Sequence, residues 1–212
     1  MTQQNFYLAI EGVIGVGKTT LARLLKPMFD AALLLEVFEE NPFLARFYQD
    51  RERYAFQTQT FFLLSRYHQQ HEAIPNALAV QNLISDYTFD KNKIFARSTL
   101  DGDELEMDER VQDTLGARIP LPDLIVYLRA DVEQIMTRIA VRDRSYERTM
   151  DPGYIVALAR AYDAYYAGYI AAPVLKIETD ALDFVRRSQD LQYVADLIRA
   201  EIAKGPVQAR LL

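Results

Sequence analysis

The sequence predicts an α/β fold: one parallel sheet of five strands with helices on both faces. Three observations carry this. Short apolar runs alternate with segments of helical period along the whole chain. The first run leads straight into a glycine-rich turn that opens a helix. No Pro/Gly-rich linker, low-complexity stretch or internal repeat interrupts the 212 residues, so one domain is expected over 1–212.

Phe6 to Ile10 is the first strand, an unbroken apolar run of the kind a sheet covered on both sides requires. From Lys18 to Met28, Leu21, Leu24, Leu25 and Met28 fall on one helical face. Leu33 to Phe38 is the second strand. Arg53 to His71 forms a long helix with Phe56, Leu63 and Tyr67 in its apolar stripe. Ala79–Ile84, Leu124–Leu128 and Val174–Ile177 complete the strands. Helices are expected at 103–116, 132–141, 153–170 and 188–203, and the tail from Lys204 to Leu212 is expected to fray. In such sheets ligands bind beyond the carboxyl ends of the strands.

Composition narrows the function. Thirty acidic residues against 24 basic ones give a net charge of −6, which argues against a nucleic-acid polymer as partner. A small anionic ligand stays possible, because a local arginine cluster outweighs the global sign. Cysteine is absent, excluding disulfides, thiolate nucleophiles and Cys-based zinc sites. The opening residues carry no basic group and no apolar run is long enough to span a membrane, so a cytoplasmic protein without membrane contact is expected.

The strongest motif is Gly12-Val13-Ile14-Gly15-Val16-Gly17-Lys18-Thr19, a full match to the phosphate loop G-x-x-x-x-G-K-[ST]. Its glycines let the backbone fold round a polyphosphate with N–H groups turned inward. The helix that starts there aims its positive end at the same anion. Lys18 is expected on the β- and γ-phosphates, and Thr19 on Mg²⁺. The dinucleotide fingerprint is a poor alternative, since Thr20 stands where its third glycine belongs. ATP or another nucleoside triphosphate is the expected ligand.

Arg138 and Arg142 sit four apart on one helix face, with Arg144 just beyond. Three guanidinium groups there suit the spread charge of a transferring phosphoryl group, on a lid at about 138–150 that excludes water. The alternative is a solvated charged face, with Asp143 and Glu147 as partners.

With these residues in view, the chain resembles the deoxynucleoside kinases, a group including deoxyguanosine, deoxyadenosine and deoxycytidine kinases. Glu11 to Thr20 is similar to the family's Glu-Gly-Asn-Ile-Gly-x-Gly-Lys-[Ser/Thr]-Thr. Glu36-Val37-Phe38-Glu39-Glu40-Asn41-Pro42 resembles Glu-Pro-Val-x-x-Asn-Pro, with Val37 for the usual proline. The resemblance makes Glu36 the general base for a 5′-hydroxyl. An acid at a strand's carboxyl end beside a phosphate loop can accept such a proton.

Phe47-Tyr48 and the run Arg53 to Arg66 resemble the family's base-reading helix. Gln57 and Gln59 lie about 200° apart on that helix, so only one can face the cleft. Gln59 shares a face with Phe62, Leu63 and Arg66, and also stands at the family's position. The resemblance places Tyr48 and Glu147 on the sugar 3′-hydroxyl, Phe95 against the base, and the lid arginines Arg138, Arg142 and Arg144 on the phosphates. Asp180 to Val185, with Phe184, resembles the adenine-side loop. Asp86 aligns with the family's acid in Asp/Glu-Arg-Ser. Tyr87 then stands where the resemblance expects an arginine touching the 5′-hydroxyl or phosphate, so Arg66 or the lid is expected to supply that charge.

The resemblance implies a kinase that passes the ATP γ-phosphate to a purine deoxynucleoside, with deoxyguanosine favoured, in nucleotide salvage. It also implies a homodimer. The alternatives are a deoxyadenosine or deoxycytidine kinase, a nucleoside monophosphate kinase, and a nucleotide-binding subunit without catalysis.

Overall fold

The computed structural model describes residues 5–205, so Met1–Gln4 and the tail from residue 206 lie outside the described residues. Five strands form one all-parallel sheet: β1 (Tyr7–Glu11), β2 (Ala31–Leu34), β3 (Asn82–Ser85), β4 (Leu124–Arg129) and β5 (Val174–Glu178), in the order β2-β3-β1-β4-β5. β1 is central and wholly buried, which explains the apolar run from Tyr7 to Ile10 that leads to its buried Glu11. Its register sets Ala9 beside Ser85 on one side and Ile125 on the other.

The helices are α1 (Lys18–Leu25), α2 (Leu44–Gln49), α3 (Arg51–Leu78), α4 (Lys91–Thr99), α5 (Gly102–Gly116), α6 (Val132–Arg142), α7 (Pro152–Ala167) and α8 (Ser188–Ile202). α1 packs on β1 and against α8, which covers β4. α3 runs along β2 and β3, and α4 lies between α3 and α7. One apolar core joins these layers, with Leu8, Ile10, Leu21, Ile84, Val126, Leu158 and Ile198 among its buried members.

Several element ends differ from expectation, each for a local reason. The second strand ends at Leu34 rather than Phe38, because the Glu36 N–H donates to the Asp86 carboxylate at 2.8 Å instead of continuing a ladder. The long helix extends to Leu78; Asp50 caps its start by accepting from Arg53 N–H at 3.2 Å. Its closing turns consume Ala79 and Gln81, whose N–H groups return to Pro75 and Ala77, so the third strand starts only at Asn82. α2 and α4 were not expected as helices; both are short, and α4 carries two lysines in its first turn, a weak helix signal. Lys204 and Gly205, expected to fray, close the last helix through bonds to Glu201 and Ile202 carbonyls.

Candidate active site

The phosphate loop joins β1 to α1 across the carboxyl end of the sheet. Gly12, Gly15 and Gly17 all have positive φ. At Gly12 no side chain fits, since a Cβ would stand 2.4 Å from the Leu128 carbonyl oxygen. Lys18 folds back over the loop and donates to the Gly12 and Val13 carbonyls at 2.7 and 3.0 Å. Burial, with Lys91 nearby, lowers its ammonium to about 8, eased by Glu11 and Asp86.

Beneath the loop, Glu11 is fully buried. Its carboxylate accepts from Thr88 N–H at 2.6 Å, Thr88 Oγ1 at 2.8 Å, Gly12 N–H at 3.2 Å and Tyr162 OH at 3.2 Å. It therefore ties the segment after β3 to the phosphate loop. Desolvation raises its carboxyl above the usual range.

Asp86 ends β3 and bridges two neighbours: its carboxylate receives the Glu36 N–H and the Thr19 hydroxyl. Glu36 lies just past β2. Arg66 of α3 donates Nε to one of its oxygens at 2.8 Å, and the Lys91 ammonium of α4 holds the other. Burial alone would raise this carboxyl, but Lys91 and Arg66 prevail and hold it at about 2. Arg66 also donates to Asn92 at 3.0 Å, and Asn92 to Asp108 at 2.8 Å, so the cluster continues inward.

One cleft gathers Lys18, Thr19, Glu36, Tyr48, Gln59, Arg66, Asp86, Phe95, Arg142, Arg144 and Glu147. Gln59 is buried there while Gln57 is exposed, the consequence of their separation on α3. The Gln59 amide nitrogen donates to Thr99 at 3.3 Å, leaving its Oε1 without a partner among the described residues. Arg142 bonds Glu147 in the lid, and the Arg144 guanidinium carbon lies 3.9 Å from the Phe38 ring centroid.

Arg138 is placed elsewhere. It donates to the Val16 carbonyl at 3.0 Å and to Thr179, so two lid arginines, not three, face the cleft. Carbonyl acceptors at the loop's outer side capture it. Phe184 is there too, packed against Gly17, while Asp180 accepts from the N–H of Asp131, the residue before α6, at 2.8 Å. Thr20 is exposed on α1.

Sequence reasoning missed Lys91, which stands in a Asp90-Lys91-Asn92-Lys93 run that resembles nothing useful. Its spacing of four from Phe95 was the available signal, since on a helix those side chains meet; its ammonium lies 5.5 Å from that ring. Tyr146, which stacks on Tyr48 at 5.9 Å, and Phe38 were missed as well. Among the described residues no group of three or more His, Cys, Asp or Glu side chains could hold a metal alone. No helix among them is long and apolar enough to cross a membrane.

A phosphate loop opening on a part-buried, ionised carboxylate under an arginine lid defines a nucleotide-dependent phosphotransferase. A family model described as deoxynucleoside kinase matches residues 8–203. The chain belongs to the deoxynucleoside kinase family. It is 34% identical to a deoxyguanosine kinase of Bacillus subtilis (strain 168), over 89% of this chain and 94% of that one. It is 28% identical to a deoxyadenosine/deoxycytidine kinase of the same organism, over 94% of each. Its fold matches a solved deoxyadenosine kinase from M. mycoides with bound dATP, at a TM-score of 0.79 and 22% identity, covering 92% of this chain and 100% of that one.

Proposed function

We propose that this chain transfers the ATP γ-phosphoryl group to the 5′-hydroxyl of a purine deoxynucleoside, with deoxyguanosine as the favoured acceptor. The observation that carries this is Glu36: a carboxylate held ionised between two cations, on the cleft floor beside the phosphate loop. The acceptor base would lie toward Phe95 and Gln59, whose free Oε1 suits a ring or exocyclic N–H donor. Tyr48 and Glu147 would take the 3′-hydroxyl.

Glu36 held this low is a weak base. Its work is to accept the hydrogen bond of the 5′-hydroxyl and orient it, taking the proton late, as a loose phosphoryl-transfer transition state allows. Lys18 would meet the β- and γ-phosphates once it leaves the loop carbonyls. Arg142 and Arg144 would cover the moving charge from the lid, and Arg138 with Phe184 and Asp180 would flank the adenine side of the loop.

The donor set at Thr19 fits Mg²⁺: a hydroxyl and a carboxylate, both hard oxygen ligands, meet at the phosphate end of the cleft. Such an ion would supply charge neutralisation to the phosphates. Thr19 would hold it, with Asp86 orienting Thr19.

The preference for deoxyguanosine rests on the higher identity to the deoxyguanosine kinase than to the deoxyadenosine/deoxycytidine kinase. The experiment is ADP release with ATP, Mg²⁺ and each of the four deoxynucleosides, with Glu36→Gln alongside. Turnover of deoxyguanosine that falls at least about a hundredfold in the variant is expected. A pyrimidine with the higher kcat/KM overturns the base assignment, and no turnover of any nucleoside overturns the reaction.

A further inference from the structure

Tyr87 occupies the place where an arginine was expected, yet the cleft has a cation there. Tyr87 is fully buried and donates its hydroxyl to Gln69 at 2.6 Å, away from the reacting groups. Four residues on, Lys91 opens α4 and turns back to the cleft, where its ammonium bonds Glu36. Its side chain is 8% exposed, and that of Arg66 3%. Each oxygen of Glu36 is therefore held by a different cation on a different helix.

We propose that Lys91 is a positioning residue for phosphoryl transfer: it replaces the arginine absent at Tyr87 and fixes the Glu36 carboxylate for the acceptor hydroxyl. The proposal rests on the reading of Glu36 as the group that receives that hydroxyl. Arg66 alone grips one oxygen through Nε and would leave the carboxylate free to turn about its last bond. Lys91 removes that freedom.

A purely structural role is disfavoured by the position itself. Lys91 is the first residue of α4, where the helix dipole repels a cation, and it buries a chain that would otherwise be solvated. Neither choice helps the helix. What both accomplish is to bring a positive charge from a second helix against Glu36.

The test is a double-mutant cycle on the full chain, measuring kcat and KM for deoxyguanosine and for ATP. In Lys91→Met, kcat is expected to fall about a hundredfold, as for a misplaced reacting group, with KM for ATP changed less than about threefold. Lys91→Arg keeps the charge and is expected to recover about tenfold of that loss. Adding Lys91→Met to Glu36→Gln is expected to cost little more, since the lysine acts through the carboxylate. If Lys91→Met does not fold, Lys91→Gln takes its place in the cycle.

A kcat within about threefold of the parent in Lys91→Met, beside a collapsed Glu36→Gln, overturns the proposal and leaves the reading of Glu36 intact. So do losses that multiply in the double variant, or an arginine variant no faster than the methionine one. A Glu36→Gln variant as fast as the parent sinks the reading of Glu36 instead, and the proposal with it.

Discussion

Arg142 closes on Glu147 within the lid: its Nε and Nη2 lie 3.1 and 2.6 Å from the same carboxylate oxygen. Arg144 stands 3.6 Å from the other oxygen. The acid is buried while the arginines remain about one-third exposed. Both cleft-facing arginines are thus part-committed to Glu147, and on the proposed reading a triphosphate would have to share them with it. The same carboxylate would also accept from the 3′-hydroxyl of the acceptor.

Glu147→Gln keeps the shape and removes the charge. Stability is expected to fall by about 1–3 kcal/mol, because Arg142 loses a charged partner. KM for the deoxynucleoside is expected to rise about tenfold, corresponding to one lost hydrogen bond to a charged group. Steady-state kinetics with a 3′-deoxy acceptor checks the assignment. The parent should discriminate against that acceptor, and the variant should not. Equal discrimination in both proteins would remove Glu147 from the sugar site.

Gln59→Leu tests the base end of the cleft. The glutamine is buried with its amide nitrogen on Thr99 and its oxygen unpartnered. If that oxygen meets the base, its loss leaves a substrate N–H unpaired and should lower kcat/KM roughly tenfold to a hundredfold. Melting temperature should hold or rise, because an unpaired buried polar atom is removed. Unchanged kcat/KM on every deoxynucleoside would count against base contact.

Asp108 supplies a pH signature. Burial raises its carboxyl to about 6, against the pull of Arg66 and the Asn92 hydrogen bond. The folded chain therefore keeps a proton that the unfolded chain releases near the ordinary 3.8. Its contribution to stability is full below the unfolded value and is lost as pH rises through the folded one. In Asp108→Asn that loss disappears. The melting temperature of the variant relative to the parent should improve by a few degrees from about pH 4 to pH 7.5. A difference that is constant across this range refutes the shift.

Much of the fold is legible without coordinates. The central strands β1 and β4 are marked by apolar runs, because a parallel sheet covered by helices has no polar face to advertise, while β3 and β5 are interrupted by polar residues such as Asn82 and Lys176. Gly12 to Thr19 is legible for a stricter reason: a loop that turns its amides toward an anion needs positive φ and room at its glycines. Helical geometry says that only one of Gln57 and Gln59 can face the cleft, and Gln59's place on the face of Arg66, together with the resemblance, chooses it. Strand and helix ends were less legible. Whether Leu35 to Phe38 continues a strand depends on the Asp86 carboxylate claiming the Glu36 N–H, a partner fifty residues away.

The identity of the chain as an α/β nucleotide-dependent enzyme was thus determined by local chemistry: periodicity, a glycine pattern, and arginines at helical spacing. What the tertiary structure decided is which charges meet. Lys91 is undistinguished in sequence and becomes central only because α3 and α4 converge on the end of β2. Arg138 matches its lid companions in spacing but not in destination, since carbonyls on the far side of the phosphate loop draw it away from the cleft. Spacing along one helix fixes directions relative to that helix. Coulomb interactions and hydrogen bonds act through space between elements, and their partners are set only when the chain is packed.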